Sequence, residues 1–192
     1  MIDQIASLLV HFAEQAGYFG VYLYMFLVGT FIPVPSEILL IPSGYLASTG
    51  IKSYWLLLFS GALGSLSGAL LNYHLAKWLV QKYRHKKMIQ KTILFFKHHG
   101  KISVFLAPLT PGLGQYISIP AGISHMPLTS FIPLTFLANL IWVGFMLLIG
   151  YLFGKGKEAH SMEIWFSLIL LGFVIFSATL YVFKELKKEK IE

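Results

Sequence analysis

The chain contains no cysteine, and charged residues make up only 12% of its 192 residues. Without cysteine the protein can form no disulfide and can offer no thiolate ligand to a metal ion. The charged fraction is about half of that usual in soluble proteins. Acidic residues are the scarcer charge, with 8 Asp and Glu against 15 Lys and Arg. The composition therefore argues against a soluble globular protein, and we expect neither a metal site nor a cofactor.

Two runs of the sequence, residues 55–75 and 102–153, contain no Asp, Glu, Lys or Arg. Each run is longer than the roughly 20 residues that a helix needs to cross a bilayer. Hydrophobic residues make up 56% of the chain. These features predict an all-α, multi-pass integral membrane protein with a single domain over residues 1–192. The start of the chain, Met1-Ile2-Asp3, lacks the basic region of a signal peptide, so no cleaved signal is expected.

The net charge of +7 is concentrated in two segments. Residues 77–101 hold eight basic residues and no acidic one, and a second basic group lies at residues 184–190. In a soluble protein, basic runs of this size suggest a nucleic-acid partner. Beside apolar spans they mark cytoplasmic segments instead. We therefore expect no nucleic-acid partner and a cytoplasmic C-terminus.

One short pattern occurs twice, with a separation of 78 positions. Both copies read P-x-x-x-[E/Q]-x-x-x-I-P-[S/A]-G. The matched pairs are Pro33 and Pro111, Glu37 and Gln115, Ile41 and Ile119, Pro42 and Pro120, and Gly44 and Gly122. Proline removes a helix hydrogen bond and clashes with the preceding turn, so both copies predict broken helices. Paired broken segments in the two halves of a membrane protein indicate a binding site where the halves meet.

The two copies divide the chain into two repeats, about residues 18–82 and 102–153. The first hairpin is predicted over residues 27–50, with its tip at Pro33-Val34-Pro35 and with Ser36 as the N-cap of the returning half-helix. The second hairpin is predicted over residues 103–126, with its tip at residues 110–114. Membrane helices are predicted over residues 54–82 and 128–153, with a final span over 164–183. Residues 1–16 predict an amphipathic helix that lies on the membrane surface or leads into the first hairpin.

The distribution of charge also predicts the direction of each span. If residues 77–101 and the C-terminal tail are cytoplasmic, helix 54–82 runs inward and helix 128–153 runs outward. The first hairpin then enters the membrane from outside, and the second enters from the cytoplasm. The predicted fold is an inverted repeat with two opposed re-entrant hairpins, an arrangement that many transporters use for alternating access.

Each predicted tip is followed by the N-terminus of a half-helix near the middle of the bilayer. Backbone N–H groups of that first turn lack partners within the helix, and the helix dipole adds to their positive potential. Two such ends facing each other could hold a phosphate without an arginine. The predicted substrate site comprises Glu37, Gln115, Ser36, Pro33, Pro35, Pro111, Gly112, Gly114, Gly44 and Gly122, with Asn72, His74 and Asn139 as secondary candidates.

Glu37 is the one carboxylate in the first copy of the pattern, and Gln115 stands at the matching place in the second. An ionisable group within a membrane segment is a candidate functional residue. Glu37 could bind and release a proton as the hairpin moves, because burial favours the neutral form of a carboxyl group. It could instead be a capping carboxylate that holds the hairpin closed. The sequence leaves both roles open.

The first tip reads Ile32-Pro33-Val34-Pro35-Ser36-Glu37 and is followed by Gly44. The second region contains Phe105, Pro111-Gly112, Ala121-Gly122, Met126-Pro127 and Phe131. Together these residues resemble the DedA family, the bacterial relatives of the SNARE-associated or VTT-domain proteins, over roughly residues 18–155. The resemblance implies a protein of the bacterial cytoplasmic (inner) membrane that translocates a lipid. It also implies undecaprenyl phosphate or a phospholipid as cargo and the proton gradient as driver.

The chain departs from the pattern of the family that it resembles. The family usually carries two arginines around the second tip, where this sequence has Pro108 and Gly114. It often carries an aspartate after the helix glycine, where Ala69 follows Gly68 here. Of the charged residues that the resemblance implies, Glu37 remains. Membrane lipids and protons are the expected partners, and the sequence leaves a homo-oligomer open.

Other classes of function compete with lipid transport. A membrane phosphatase, suggested by Pro42-Ser43-Gly44, would need basic residues that clamp a phosphate and a nucleophile with its own partner. The run 102–153 offers His125 and no basic partner, so we do not expect an enzyme. A small-ion or proton exchanger could use Glu37. A gradient-independent phospholipid scramblase and a non-transporting assembly factor are the remaining alternatives.

Overall fold

The structure is a computed structural model of the protein that describes residues 2–32, 34–83, 87–109 and 114–155. Every regular element within these ranges is helical, which confirms the predicted all-helical class. The α-helices are α1 (Ile2–Gly29), α2 (Glu37–Ser48), α3 (Tyr54–Tyr83), α4 (Lys87–Leu106), α5 (Ser118–Ile123) and α6 (Leu128–Lys155). Single 3-10 turns cover Ala107–Leu109 and Gly114–Tyr116. The predicted final span, residues 164–183, lies outside the described residues.

Two helices in the described part of the chain are long and apolar enough to cross a bilayer. These candidate spans are Tyr54–Val80 in α3 and Leu128–Gly154 in α6. Large apolar side chains on the same helices are exposed, among them Trp55, Trp78, Phe145 and Leu152. Soluble proteins rarely expose so much contiguous apolar surface, whereas a helix that faces lipid tails does so without cost. α3 and α6 thus have the length and the exposed apolar faces of membrane-spanning helices.

α1 consists of two helical parts that meet at Gly17. Gly17 has φ 62° and ψ −171°, a backbone conformation that is essentially restricted to glycine. Ala13 lies in the last turn before this break, where helix carbonyls lack partners within the helix. Lys52 Nζ donates a hydrogen bond of 2.6 Å to the Ala13 carbonyl. The amphipathic first part of α1 thus leads into the first tip and is held against the α2–α3 connection.

Lys52 is only 9% exposed, although it lies in the short polar connection between α2 and α3. Burial lowers the pKa of its ammonium group, and the nearby Glu14 carboxylate opposes that shift. The ammonium also lies 5.9 Å from the centre of the Tyr18 ring, which favours a cation. These contacts compensate part of the cost of burying the charge.

The helices bury apolar side chains in two clusters that share α3 and α6. The first cluster joins α1, α2, α3 and α6 and includes Val21, Met25, Leu40, Leu57 and Leu147. The second joins α3, α4, α5 and α6 and includes Tyr73, Phe96, Val104 and Phe131. The Tyr73 hydroxyl donates to the Met126 carbonyl at 2.5 Å, so this buried phenol is satisfied. One cluster thus packs α2, and the other packs α5, against α3 and α6.

Glycines permit the closest crossings between α2 and α6 and between α5 and α3. Gly44 on α2 lies directly against the backbone carbonyl of Leu147 on α6. Gly122 on α5 lies in the same way against the carbonyl of Tyr73 on α3. A β-carbon at either glycine would overlap that carbonyl. Each short helix therefore packs on the long helix that belongs to the other half of the sequence.

A stripe of small residues on α3 forms a packing surface against α1. Gly64 and Gly68 lie against the carbonyls of Tyr22 and Phe26 on α1. Small residues let membrane helices approach closely enough for backbone atoms to touch. The stripe therefore fixes the second part of α1, which carries the first tip, against α3.

Candidate functional site

A cavity of about 320 Å³ lies between the two broken segments of the chain. Its walls come from the end of α1, the first tip with the start of α2, α3, the two 3-10 turns and α6. Six residues of the site predicted from the sequence line it: Pro35, Ser36, Glu37, Gly114, Gln115 and Asn139. Glu37 and Gln115, the matched positions of the repeated pattern, therefore meet at one cavity.

The first wall is a tip whose backbone is tied by side chains from other elements. The Tyr24 hydroxyl on α1 donates to the Pro35 carbonyl at 2.7 Å. The Trp142 indole Nε1 on α6 donates to Ser36 Oγ at 3.2 Å. The Thr30 hydroxyl donates to the Leu27 carbonyl at 2.6 Å and closes the end of α1. These bonds position the start of α2 at the cavity.

Ser36 is the N-cap residue of α2, as predicted, but its side chain does not cap the helix. An N-cap normally has an extended backbone, which lets its side chain reach the N–H groups of the first turn. Ser36 instead has φ −67° and ψ −27°, which are helical values, and its side chain makes no capping hydrogen bond. Its hydroxyl accepts the Trp142 hydrogen bond. Ser36 thus links the first tip to α6.

Glu37 is the first residue of α2 and is partly buried at the cavity. A carboxylate in the first turn of a helix is stabilised by the helix dipole. Glu37 therefore lies at a helix end, and the described lining of the cavity contains no basic residue. The same position leaves it in contact with the space that a ligand would occupy.

The second wall consists of two 3-10 turns around the second tip. Pro108 lies in the turn before the tip and Gly114 in the turn after it, and both line the cavity. A β-carbon at Gly114 would lie 2.5 Å from the Pro108 Cα, so only glycine fits this approach. The positions at which the related family usually carries arginines are therefore occupied at the cavity by uncharged residues.

Asn72 connects the two tips through one side-chain amide. This residue of α3 is 2% exposed. Its Nδ2 donates to the Gly29 carbonyl at 3.2 Å and to Ser118 Oγ at 3.3 Å, and it lies 3.5 Å from the Gln115 carbonyl. Gly29 ends the helix before the first tip, and Gln115 follows the second tip. The buried amide of Asn72 therefore links the segment before the first tip to the segment after the second tip.

Several other predicted site residues lie away from the cavity. His74 is exposed, and its Nδ1 lies 2.8 Å from the carbonyl of Leu70 on its own helix. Gly44 and Gly122 lie at helix crossings, where they shape the packing around the site. Pro33, Pro111 and Gly112 lie outside the described residues.

The sequence reasoning missed two residues of α6 that line the cavity, Thr135 and Trp142. Thr135 is 2% exposed, and its hydroxyl has no hydrogen-bond partner among the described atoms. Thr135, Asn139 and Trp142 follow one another at spacings of four and three residues along α6. Such spacings place all three side chains on one face of the helix. This helical spacing of polar and aromatic residues could have predicted the cavity face of α6. It was hard to recognise because apolar residues surround all three positions in the sequence.

The cavity lining that the structure describes has one carboxylate and no basic group; Glu37 and Tyr116 are its ionisable residues. Tip residues 110–113 read Thr-Pro-Gly-Leu and carry no charge. Across the described ranges, no three His, Asp or Glu side chains are grouped so that they could hold a metal ion. The described lining of the cavity thus combines one carboxyl group with hydroxyl and amide groups and an indole ring.

Comparison with known proteins identifies both a domain and several relatives. The profile of the VTT domain matches residues 32–152. "Undecaprenyl phosphate transporter A" of Bacillus subtilis (strain 168) is 28% identical over 73% of this chain and 74% of its own. "Protein DedA" of Escherichia coli (strain K12) is 24% identical over 92% of this chain and 88% of its own.

A third similar protein is named after an enzyme activity and not after transport. "Alkaline phosphatase-like protein" of Lactococcus lactis subsp. lactis (strain IL1403) is 27% identical over 93% of this chain and 92% of its own. No solved structure matches the chain. Because these names point to different activities, the chemistry of the cavity has to discriminate between them.

Proposed function

The chain belongs to the VTT-domain family, and on that basis we propose that it translocates a phosphate-bearing lipid across the bacterial cytoplasmic membrane. Undecaprenyl phosphate and phospholipids are the candidate cargoes. The observation that carries this proposal is that Glu37 and Gln115 line one cavity between the spanning helices. A similar protein is named as an undecaprenyl phosphate transporter, which supports a lipid as substrate.

The proposed architecture is an inverted repeat with two opposed re-entrant hairpins. The crossed contacts support it, because α2 packs on α6 through Gly44 and α5 packs on α3 through Gly122. The carbonyls that these glycines touch, at Tyr73 and Leu147, are 74 positions apart. The first residues of α3 and α6 are separated by the same 74 positions. The two contacts are thus equivalent between the halves, as an internal repeat requires.

Alternating access would follow from movement of one half against the other around the cavity. The repeats are taken as residues 18–82 and 102–153, with hairpins at 27–50 and 103–126 and a final span at 164–183. The basic segment 77–101 and the C-terminus are placed in the cytoplasm. The cavity would then open to one leaflet at a time, and a lipid headgroup could cross while its tails stay in the bilayer.

Glu37 is the residue through which translocation would be coupled to protons. It is the one carboxylate in the described lining of the cavity, and that lining contains no basic residue. A carboxyl group that alternates between a dry and a wet surrounding binds and releases a proton, because burial penalises its charged form. Gln115 would supply the matching neutral contact from the second half.

Transport rather than catalysis is proposed for this cavity. Phosphate-ester hydrolysis needs an activated nucleophile and positive groups that stabilise the developing charge. The described lining supplies neither a histidine nor a basic residue. The phosphatase-like name of one similar protein therefore has no counterpart in the chemistry of this site.

The test of the proposal is headgroup-resolved lipid translocation in proteoliposomes that contain the full-length protein. Labelled phospholipids and a short polyprenyl phosphate would be followed with and without a pH gradient. We expect movement faster than in protein-free vesicles, with acceleration by the gradient. Gradient-independent movement would show a scramblase, and no movement of any lipid by folded protein would refute the proposed function.

A further inference from the structure

The end of α3 and most of α4 concentrate positive charge that the rest of the chain does not balance. Residues 77–101 hold eight Lys and Arg, whereas residues 38–157 contain no Asp or Glu. Of the acidic side chains that the structure describes, Glu37 lines the cavity and Glu14 lies near the α2–α3 connection, at the opposite end of α3. The C-terminal segment 184–192 has four Lys against three Glu and adds to the positive charge. The basic segment therefore attracts anions from outside the protein.

α4 divides its side chains between a buried face and an exposed face. Phe96, Gly100 and Val104 follow one another at spacings of four residues and are buried, and Phe96 and Val104 belong to the second apolar cluster. Six described side chains on the opposite side are exposed: Leu94, Phe95, His98, His99, Lys101 and Ile102. The rings of Phe95 and His99 stack with their centroids 5.3 Å apart. The outer face of α4 thus combines large apolar groups with imidazole rings and an ammonium group.

The packing of α4 on α3 places this face near one surface of the membrane. Phe96 shares its buried cluster with Tyr73 of α3. Trp78 lies about 8 Å further along the axis of α3 than Tyr73. It is 70% exposed and directly follows Lys77. Exposed Trp and Lys at the end of an apolar helix are typical of the level of the lipid headgroups. The middle of α4 therefore lies close to that level.

A helix face with both characters fits the surface of an anionic bilayer. Interfacial helices bury apolar side chains just below the headgroups, while their basic residues attract anionic lipids. A nucleic acid would meet the positive charge but would leave Leu94, Phe95 and Ile102 in water, although each of these side chains is more than half exposed. A zwitterionic bilayer would cover the apolar groups and leave the charge without a partner. An anionic lipid surface satisfies both.

We propose that the outer face of α4 binds the headgroups of anionic phospholipids, at a site separate from the cavity between the tips. α4 ends at Leu106, two residues before Pro108, which lines that cavity. A lipid bound to α4 would therefore hold the chain that leads into the second tip at a fixed depth. The binding site requires no transported cargo, so it can be tested independently of the proposed function.

The test is lipid-selective quenching of a fluorophore on α4 of the full-length protein. The chain has no native cysteine, so Leu94→Cys can be labelled with bimane at one position. The protein is reconstituted in phosphatidylcholine vesicles in which a minor fraction of the lipid is brominated phosphatidylglycerol or brominated phosphatidylcholine. The relative binding constant from the quenching is expected to favour phosphatidylglycerol about fivefold or more, the contribution of one basic residue near an anionic surface. High salt should reduce this preference, because it screens exposed charges.

Phe145→Cys is the matched control for the position of the fluorophore. Phe145 is an exposed apolar residue of α6, and it lies in the run 102–153, which has no charged residue. A label there should be quenched equally by the two brominated lipids. Equal preferences at positions 94 and 145 would show that the selectivity does not belong to α4 and would overturn the proposal.

Substitutions at Lys101 test the role of charge. Lys101→Gln is expected to lower the preference at position 94 about fivefold, and Lys101→Arg is expected to keep it. Lys101→Gln retains seven of the eight basic residues in the segment, and therefore the charge bias that orients the helices. Gln90→Ala, at an exposed neutral position of the same helix, should leave the preference unchanged.

Equal quenching by the two brominated lipids at position 94 would overturn the proposal, as would a preference that neither Lys101→Gln nor high salt reduces. If position 145 is quenched but position 94 is quenched by no lipid, another protein surface covers α4, and the proposal fails as well. If α4 prefers phosphatidylglycerol while no lipid is translocated in proteoliposomes, the proposed transport function fails and this binding site remains.

Discussion

Replacement of Glu37 by Gln is expected to slow lipid translocation by about tenfold to a hundredfold, the range of one lost hydrogen bond to a charged group. The substitution keeps the size of the side chain and makes the two matched positions of the cavity alike, Gln opposite Gln. It removes the one carboxylate in the part of the cavity lining that the structure describes. The loss should be largest in the presence of a pH gradient, because the amide cannot take up and release a proton.

The same proteoliposome assay measures this effect, with circular dichroism and size-exclusion chromatography as tests of folding. Glu14→Gln is the matched control: it removes a carboxylate from the exposed face of α1, away from the cavity. Full activity of a folded Glu37→Gln protein would show that the carboxylate is a structural cap and would contradict its role in transport. A loss shared by Glu14→Gln would show that overall charge matters instead of this site.

The substitution Gly44→Ala is expected to destabilise the protein by about 1–3 kcal/mol, the usual cost of overpacking a close contact. The added β-carbon would overlap the Leu147 carbonyl, and a backbone carbonyl of a packed helix cannot turn aside as a flexible side chain can. α2 would have to move away from α6 and would displace Glu37 at its N-terminal end. A loss of 2 kcal/mol corresponds to a fall in Tm of roughly 4–8 °C for a chain of this length.

Thermal unfolding in detergent checks this expectation, and α6 supplies a matched control. A β-carbon at Gly144 would meet the Leu58 Cδ1 at 3.4 Å, an ordinary contact. Gly144→Ala should therefore leave the Tm nearly unchanged, while Gly122→Ala, which meets the Tyr73 carbonyl, should act as Gly44→Ala does. Equal Tm values for all three variants would show that the crossings are looser than the structure indicates.

The long helices and the pairing of Glu37 with Gln115 were predictable from the sequence for physical reasons. Apolar runs with no charge specify membrane helices by length alone, and α3 and α6 begin where the polar connections end. The pairing was predictable because a repeat brings equivalent positions together at its interface. Glu37 and Gln115 accordingly line the same cavity.

The details of the tips were not predictable because they depend on contacts between distant segments. Ser36 was expected to cap its own helix, but its partner is Trp142, 106 residues away. Thr135 looks like an ordinary small residue of a membrane helix until the opposite wall of the cavity is known. Asn72 was assigned to the site as a secondary candidate, but its role in joining the two tips follows from its hydrogen bonds.

The most direct test of the central claim is whether lipid occupies the cavity between the tips. The chain has no native cysteine, so Asn139→Cys creates a single thiol at the cavity. Thr129→Cys, in the exposed first turn of α6, is the control. We predict that short-chain phospholipid slows maleimide labelling at position 139 in a saturable manner and leaves position 129 unaffected. Labelling at position 139 that is unchanged by any lipid would contradict the assignment of this cavity as the lipid site.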